Sequence, residues 1–307
     1  MPRIGGGVLL SRVTINGIDT HYELRGEGMP LLYFRGGYGG ISSTLQAEER
    51  SNIAGFGESV RVIDYHRRCD GLSQYVFDAF TFDDLVDDAE ALLDHVGVER
   101  AVVSSVSAGG PLALQFALSH PERVRALVRV CAGAALMSTT PYTDPTRITP
   151  AVEARIEEVK RRMGLVYRAR DEGERALFDR LRDRIRNQQS RAAPGSTAEE
   201  RHQALLKKIV ETSDDDLFTY FTGELHHLAA NDGVNLTVRL GEIAVPTLIV
   251  HGTADRTVPS VYGHDLAREI ANAEIVTIEG AGHDVFSDPR AQQAIQEWLR
   301  TFAASVT

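Results

Sequence analysis

Three side chains, far apart in this chain, have the types that acyl chemistry needs: Ser107, Asp255 and His283. A serine hydroxyl is a poor nucleophile until a neighbouring base takes its proton. Histidine can be that base near neutral pH. An acid behind it fixes the imidazole tautomer and stabilises its protonated form. Ser107 lies in Ser105-Val106-Ser107-Ala108-Gly109. This fits S-x-S-x-G, one residue away from the G-x-S-x-G nucleophile elbow, a sharp strand-to-helix turn. That turn strains its central serine, so close neighbours must be small. Ser105, Gly109 and Gly110 meet the demand, Ser105 less permissively than glycine would. A helix starting beneath Ser107 would present amides and a dipole that favour negative charge. Each residue alone has a structural explanation: small residues end a strand, Asp255 caps a helix at Pro259, His283 sits in a loop. Their order, serine then acid then histidine, is the one expected when all three follow successive strands of an α/β sheet.

The elements that must hold them can be read from periodicity. Residues 9–15 and 19–24 form two strands joined at Asn16-Gly17, a strong hairpin signal. Met29 to Phe34 is a buried strand that runs into the glycine-rich loop Arg35-Gly36-Gly37-Tyr38-Gly39-Gly40. That loop lacks the spacing and Lys-Ser/Thr of a phosphate-binding loop. It suits either a plain turn or the close approach of a backbone amide to a reacting oxygen. Val60 to Tyr65 is a further strand, ending in His66-Arg67-Arg68, a structural hydrogen-bond cluster by preference. Thr81 opens a helix, with Asp84 completing a near capping box and Gly97 stopping it. Strands at 101–105, 126–130, 247–250 and 274–278 follow, with helices after the elbow, from Pro259 and over 289–303. The last helix buries Ile295, Trp298, Leu299 and Phe302, with Trp298 expected in the core. Alternating strand and helix imply a doubly wound, mostly parallel sheet with its sites at the strands' carboxyl ends.

Between 135 and 240 strand-like runs vanish. Val152, Ile156, Val159 and Met163 repeat at helical spacing, as do Leu177, Leu181 and Ile185. Ser196 with Glu199 could box a third helix carrying Leu205, Leu206, Ile209 and Val210, and 214–231 supplies a fourth. The reading is an inserted α-helical cap over 135–240 on a core of 1–134 and 241–307, its charged runs forming solvated faces. His226-His227 are adjacent, so they do not share a helix face and make a poor metal pair.

The 307 residues are 43% hydrophobic and 25% charged, enough for one core and an insertion. A net charge of −10 argues against binding nucleic acid through its phosphates. The two cysteines, Cys69 and Cys131, match neither a metal spacing nor a disulfide framework, so a reducing compartment is the simpler inference. The first ten residues lack a signal peptide's apolar segment, and no apolar run is long enough to span a bilayer. The expectations are a cytoplasmic location, no metal or other cofactor, no membrane or nucleic-acid partner, and a small-molecule substrate. A homodimer is left open.

The Gly36-Gly37 loop, the Ser-Val-Ser-Ala-Gly-Gly elbow, the run from Val245 to Asp255 and Gly280-Ala-Gly-His283 together resemble the α/β-hydrolase superfamily along nearly the whole chain. The resemblance implies Ser107, Asp255 and His283 as catalytic residues. It also implies an oxyanion hole made by the amides of Ala108 and Gly37, with Tyr38 the alternative to Gly37. Arg35 stands where the superfamily often has histidine, and Ser105 replaces the first elbow glycine. A serine at 107 argues against the relatives that use aspartate there. The expected function is a serine hydrolase cleaving an ester or lactone through an acyl-enzyme. The alternatives are a carbon–carbon bond hydrolase, an amino-terminal peptidase using a cap acid such as Glu224, and a non-hydrolytic lyase or binding protein. Arg35 and Tyr38 are the expected substrate contacts, with Arg67 and Arg68 also available to a substrate carboxylate.

Overall fold

A computed structural model describes residues 3–4, 8–47, 53–137, 148–188 and 197–305. Two antiparallel strands, β2 (Val8–Ile15) and β3 (Ile18–Arg25), turn at Asn16 and Gly17, both with positive φ, as a tight two-residue hairpin requires. A two-residue strand, β1 (Arg3–Ile4), pairs with β2. The remaining strands are β4 (Met29–Phe34), β5 (Val60–Tyr65), β6 (Ala101–Val106), β7 (Val124–Val130), β8 (Thr247–Gly252) and β9 (Ala273–Ile278). The order across the sheet is β1-β2-β3-β5-β4-β6-β7-β8-β9, parallel from β5 onward.

Alternate residues of these strands serve opposite faces. Leu32, Phe34, Val103, Leu127 and Ile249 pack with Leu85 and Leu92 of helix α2 (Phe82–His95) and Leu112 and Phe116 of α3 (Gly109–Ser119). Leu31, Tyr33, Val102, Val128 and Val250 pack with Ile295 and Leu299 of α9 (Pro289–Ser305). The capping box expected at α2 is present: the Asp84 amide donates to the Thr81 hydroxyl and the Thr81 amide to the Asp84 carboxylate. Trp298 departs from expectation. It is half-buried at the edge of α9, stacked on Phe302, with its indole N–H on Glu274. The centre of that helix's buried stripe belongs to Ala291, Ile295 and Leu299, and an indole N–H needs an acceptor at the rim.

Among the described residues, four α-helices lie between β7 and β8: α4 (Pro150–Glu172), α5 (Glu174–Arg186), α6 (Thr197–Glu211) and α7 (Asp214–Ala230). Val159, Met163, Phe178, Ile209, Phe221 and Leu225 make their shared core, which also takes in Tyr38, Ile41 and Ala108 below. The short helix α1 (Gly40–Leu45) lies against α7. The chain rejoins the sheet-side core at Leu236, ahead of residue 241: the Leu236 amide donates to Ala134 O, and Leu240 and Ile243 follow into the same cluster. Ser196 of the expected capping box lies outside the described residues. Among those described, no helix is long and apolar enough to cross a membrane.

Candidate active site

The elbow forms where β6 gives way to α3. Ser107 has φ +50°, a left-handed conformation that costs a non-glycine residue on the order of 1–3 kcal/mol. Its amide donates to Val130 O and its carbonyl accepts from the Gly110 amide, which hold it there. Gly109 must lack a side chain, because a Cβ would stand 2.3 Å from Phe34 O and 2.6 Å from Arg35 O. The end of β4 is thereby pressed against the elbow. Ser105, in place of the first elbow glycine, is fully buried and its hydroxyl has no partner.

His283 and Asp255 reach Ser107 from the loops after β9 and β8. His283 Nε2 is 2.9 Å from Ser107 Oγ, and His283 Nδ1 is 2.8 Å from Asp255 Oδ2. The chain of bonds assigns the proton to Nδ1, donated to the carboxylate, leaving Nε2 to face the serine. Asp255 is held from its other side, with Oδ1 accepting from the amides of Thr257 at 2.8 Å and Val258 at 2.9 Å. It thus ties the turn that precedes α8 (Val261–Glu269) but does not cap that helix, whose N-cap is Ser260 with no side-chain bond, so the helix-capping explanation of its position is not met. Burial pushes its carboxyl up, but the imidazoles of His251 and His283 and the Val258 amide outweigh that and hold it well below the usual carboxylate range. His251, fully buried, donates from Nε2 to Val258 O and stands 3.6 Å from Asp255 Oδ2. Sequence reading passed over His251, although its place four residues before Asp255 was a signal.

Cys131 supports the same corner. It has φ +41°, its amide donates to Val250 O, and its thiol donates to the carbonyl of His283. Ligand atoms of Cys131, Asp255 and His283 lie within 4.8 Å of one another. That grouping is a poor metal site, because Asp255 and His283 are already bonded to each other and burial pushes the thiol up, away from thiolate.

A cavity of about 430 Å³ opens over Ser107 and His283, and Gly37, Tyr38 and Ala108 share its wall. None of the described hydrogen bonds uses the amides of Gly37 or Ala108. Phe286 and Tyr33 add apolar surface, and Thr257 closes one side. Tyr38 lies on that wall, beneath the Arg162 guanidinium, which is 5.6 Å from its ring centre.

The expected substrate contact through Arg35 is corrected. Its guanidinium forks onto buried Asp64, with bonds of 2.6 and 2.8 Å, and it lines a neighbouring cavity of about 160 Å³ rather than the wall over Ser107. A buried carboxylate needs that partner. Arg67 pairs with Asp70 and donates to Gly37 O, and Arg68 forks onto Asp88, so both are structural. His227 donates to Arg68 O and His226 meets Glu174, so these histidines bind no shared ligand. Glu224 is packed against Gly40 and is not among the groups lining the cavity. Two cap residues expected on a solvated face line it instead: Arg155 and Arg162 of α4. Positions 152, 155, 159, 162 and 166 step by three and four, so Arg155 falls on the buried stripe and Arg162 at its edge, a signal that residue type had masked.

The alpha/beta hydrolase fold family model matches residues 51–289. The chain is 26% identical over 283 residues to a putative carbamate hydrolase of Azorhizobium caulinodans, covering 88% of this chain and 92% of that one. It is 28% identical over 286 residues to a 2-hydroxymuconate semialdehyde hydrolase of Pseudomonas sp. strain CF600, covering 92% and 88%. The enol-lactonase of Burkholderia xenovorans LB400 superposes with a TM-score of 0.64 at 22% identity, over 96% of this chain and all of that one. With an elbow, an acid and a histidine meeting at the carboxyl edge of its sheet, this chain belongs to the alpha/beta hydrolase fold family.

Proposed function

We propose that the protein is a serine hydrolase acting on a carboxylic ester or lactone of a small organic molecule. The observation that carries this is the unbroken line from Asp255 through His283 to Ser107, with the hydroxyl at the floor of the cavity. Ser107 Oγ passes its proton to His283 Nε2 as it attacks the acyl carbon. The charge that develops on the carbonyl oxygen is received by the amides of Ala108 and Gly37; losing one such donor costs on the order of 10²–10³ in rate. His283 returns the proton to the departing alcohol, leaving an acyl-serine. It then takes a proton from water, whose attack on the acyl carbon frees the acid and restores the serine. A volume near 430 Å³ suits a small-molecule substrate.

A panel of 4-nitrophenyl esters with Ser107→Ala as control tests the reading. Equal rates in the two proteins, or none on any acyl substrate, would refute it. A fluorophosphonate should label Ser107; a label on Ser104 or Ser105 would move the elbow. Carbon–carbon bond hydrolysis is the second reading, favoured by the relative that hydrolyses 2-hydroxymuconate semialdehyde, a substrate that offers no ester.

A further inference from the structure

Resting on that assignment of Ser107, we propose that Arg155 makes the cavity a site for acyl substrates that also carry a carboxylate, such as half-esters of short dicarboxylic acids. Arg155 is only 6% exposed and lines the cavity shared by Ser107 and His283. One of its terminal nitrogens donates to Leu136 O at 2.6 Å, while its Nε has no partner. Among the described residues no carboxylate pairs with it. The arginines that sequence reading offered to a substrate acid are each already matched, Arg35 by Asp64, Arg67 by Asp70 and Arg68 by Asp88. A buried cation without a counter-ion is costly, so such a group is retained where a ligand supplies the missing charge.

The other charges on the wall agree with this. Asp284 is exposed at the mouth, where water screens it, and Asp255, behind the wall, is spent on His283. Arg162, seven residues further along the same face of α4, leans on Glu158 and on the Tyr38 ring. It adds positive potential that Glu158 partly offsets. A guanidinium offers paired N–H groups that match a carboxylate's two oxygens. The acyl carbon at Ser107 and the acid at Arg155 would then be the two fixed points of one short chain.

The competing explanation is that Arg155 only ties α4 to Leu136 O and so steadies the cap. Mono-4-nitrophenyl glutarate and 4-nitrophenyl butyrate separate the two. Arg155→Met should lower the ratio of kcat/KM for the anionic over the neutral ester about 10- to 100-fold, the worth of a charge-assisted hydrogen bond. Arg155→Lys should recover part of it. Glutarate should inhibit wild-type butyrate hydrolysis competitively and inhibit Arg155→Met at least 10-fold more weakly. An unchanged ratio, or an equal loss on both esters, overturns the proposal while leaving the hydrolase reading intact. If neither ester is cleaved and Ser107 resists fluorophosphonate, the hydrolase reading fails on its own. Thermal stabilisation by glutarate of wild type but not of Arg155→Met would still uphold the anion subsite, and its absence from both would end it. Should Arg155→Met not fold, Arg155→Lys decides by the same ester ratio and glutarate inhibition.

Discussion

Asp255→Asn isolates the tautomer of His283. Oδ1 of Asp255 accepts two backbone amides, Thr257 and Val258, at 2.8 and 2.9 Å. Those donors demand an acceptor, so an asparagine must keep its carbonyl oxygen there. Its NH₂ then takes the place of Oδ2 and points at His283 Nδ1 across 2.8 Å. Two donors cannot face each other, so the imidazole moves its proton to Nε2, the nitrogen 2.9 Å from Ser107 Oγ. In that form it cannot receive the serine proton. The expected loss in kcat is about 10⁴-fold, or roughly 5.5 kcal/mol of transition-state stabilisation. Asparagine preserves the backbone bonds, whereas Asp255→Ala orphans both amides. The alanine variant should therefore be less stable than the asparagine one by about 2 kcal/mol. Steady-state kinetics on an activated ester and denaturant melts of both variants provide the readout. Activity of Asp255→Asn within about tenfold of wild type, or equal stability of the two variants, would refute this account of what holds Asp255.

Gly109→Ala sets a Cβ against the carbonyls of Phe34 and Arg35, which are backbone and cannot swing away. It should cost about 3 kcal/mol in a denaturant melt and reduce fluorophosphonate labelling of Ser107. Arg68→Met strands Asp88, which is 3% exposed, and should cost about 3–5 kcal/mol; adding Asp88→Leu should recover much of that loss. Burial pushes the His66 and His227 imidazoles down to about 3. The unfolded chain takes up those protons from about pH 6.5 downward while the folded chain refuses them, so stability falls as pH drops from 6.5 towards 3. The slope should reach about 1.4 kcal/mol per pH unit for each histidine, and His227→Gln should flatten the pH dependence of Tm in that window. Asp70, also buried but held down to about 2 by Arg67, works at lower pH: its contribution is complete above about pH 4 and is lost on the way to 2.

Much of the sheet could be read directly, because a buried parallel strand is a run of apolar residues and its edges are marked by turn residues. The strands at 29–34 and 60–65 were legible to the residue, and Asn16-Gly17 named its hairpin. Ser107, Asp255 and His283 were legible for a related reason: each follows such a strand, and strand ends in a parallel sheet share one edge. Local pattern could not say which arginines already have a carboxylate partner. Arg35 and Arg68 look available in sequence, yet Asp64 and Asp88 claim them from other strands and helices. Arg155 looks like one more charge on a polar helix, yet the packing of α4 over the elbow turns it into the cavity. Residue type and period determined the sheet, its helices and the three groups at its rim. Which charges are neutralised and which stay open to a ligand depends on contacts between residues distant in the chain, and only the tertiary structure decided it.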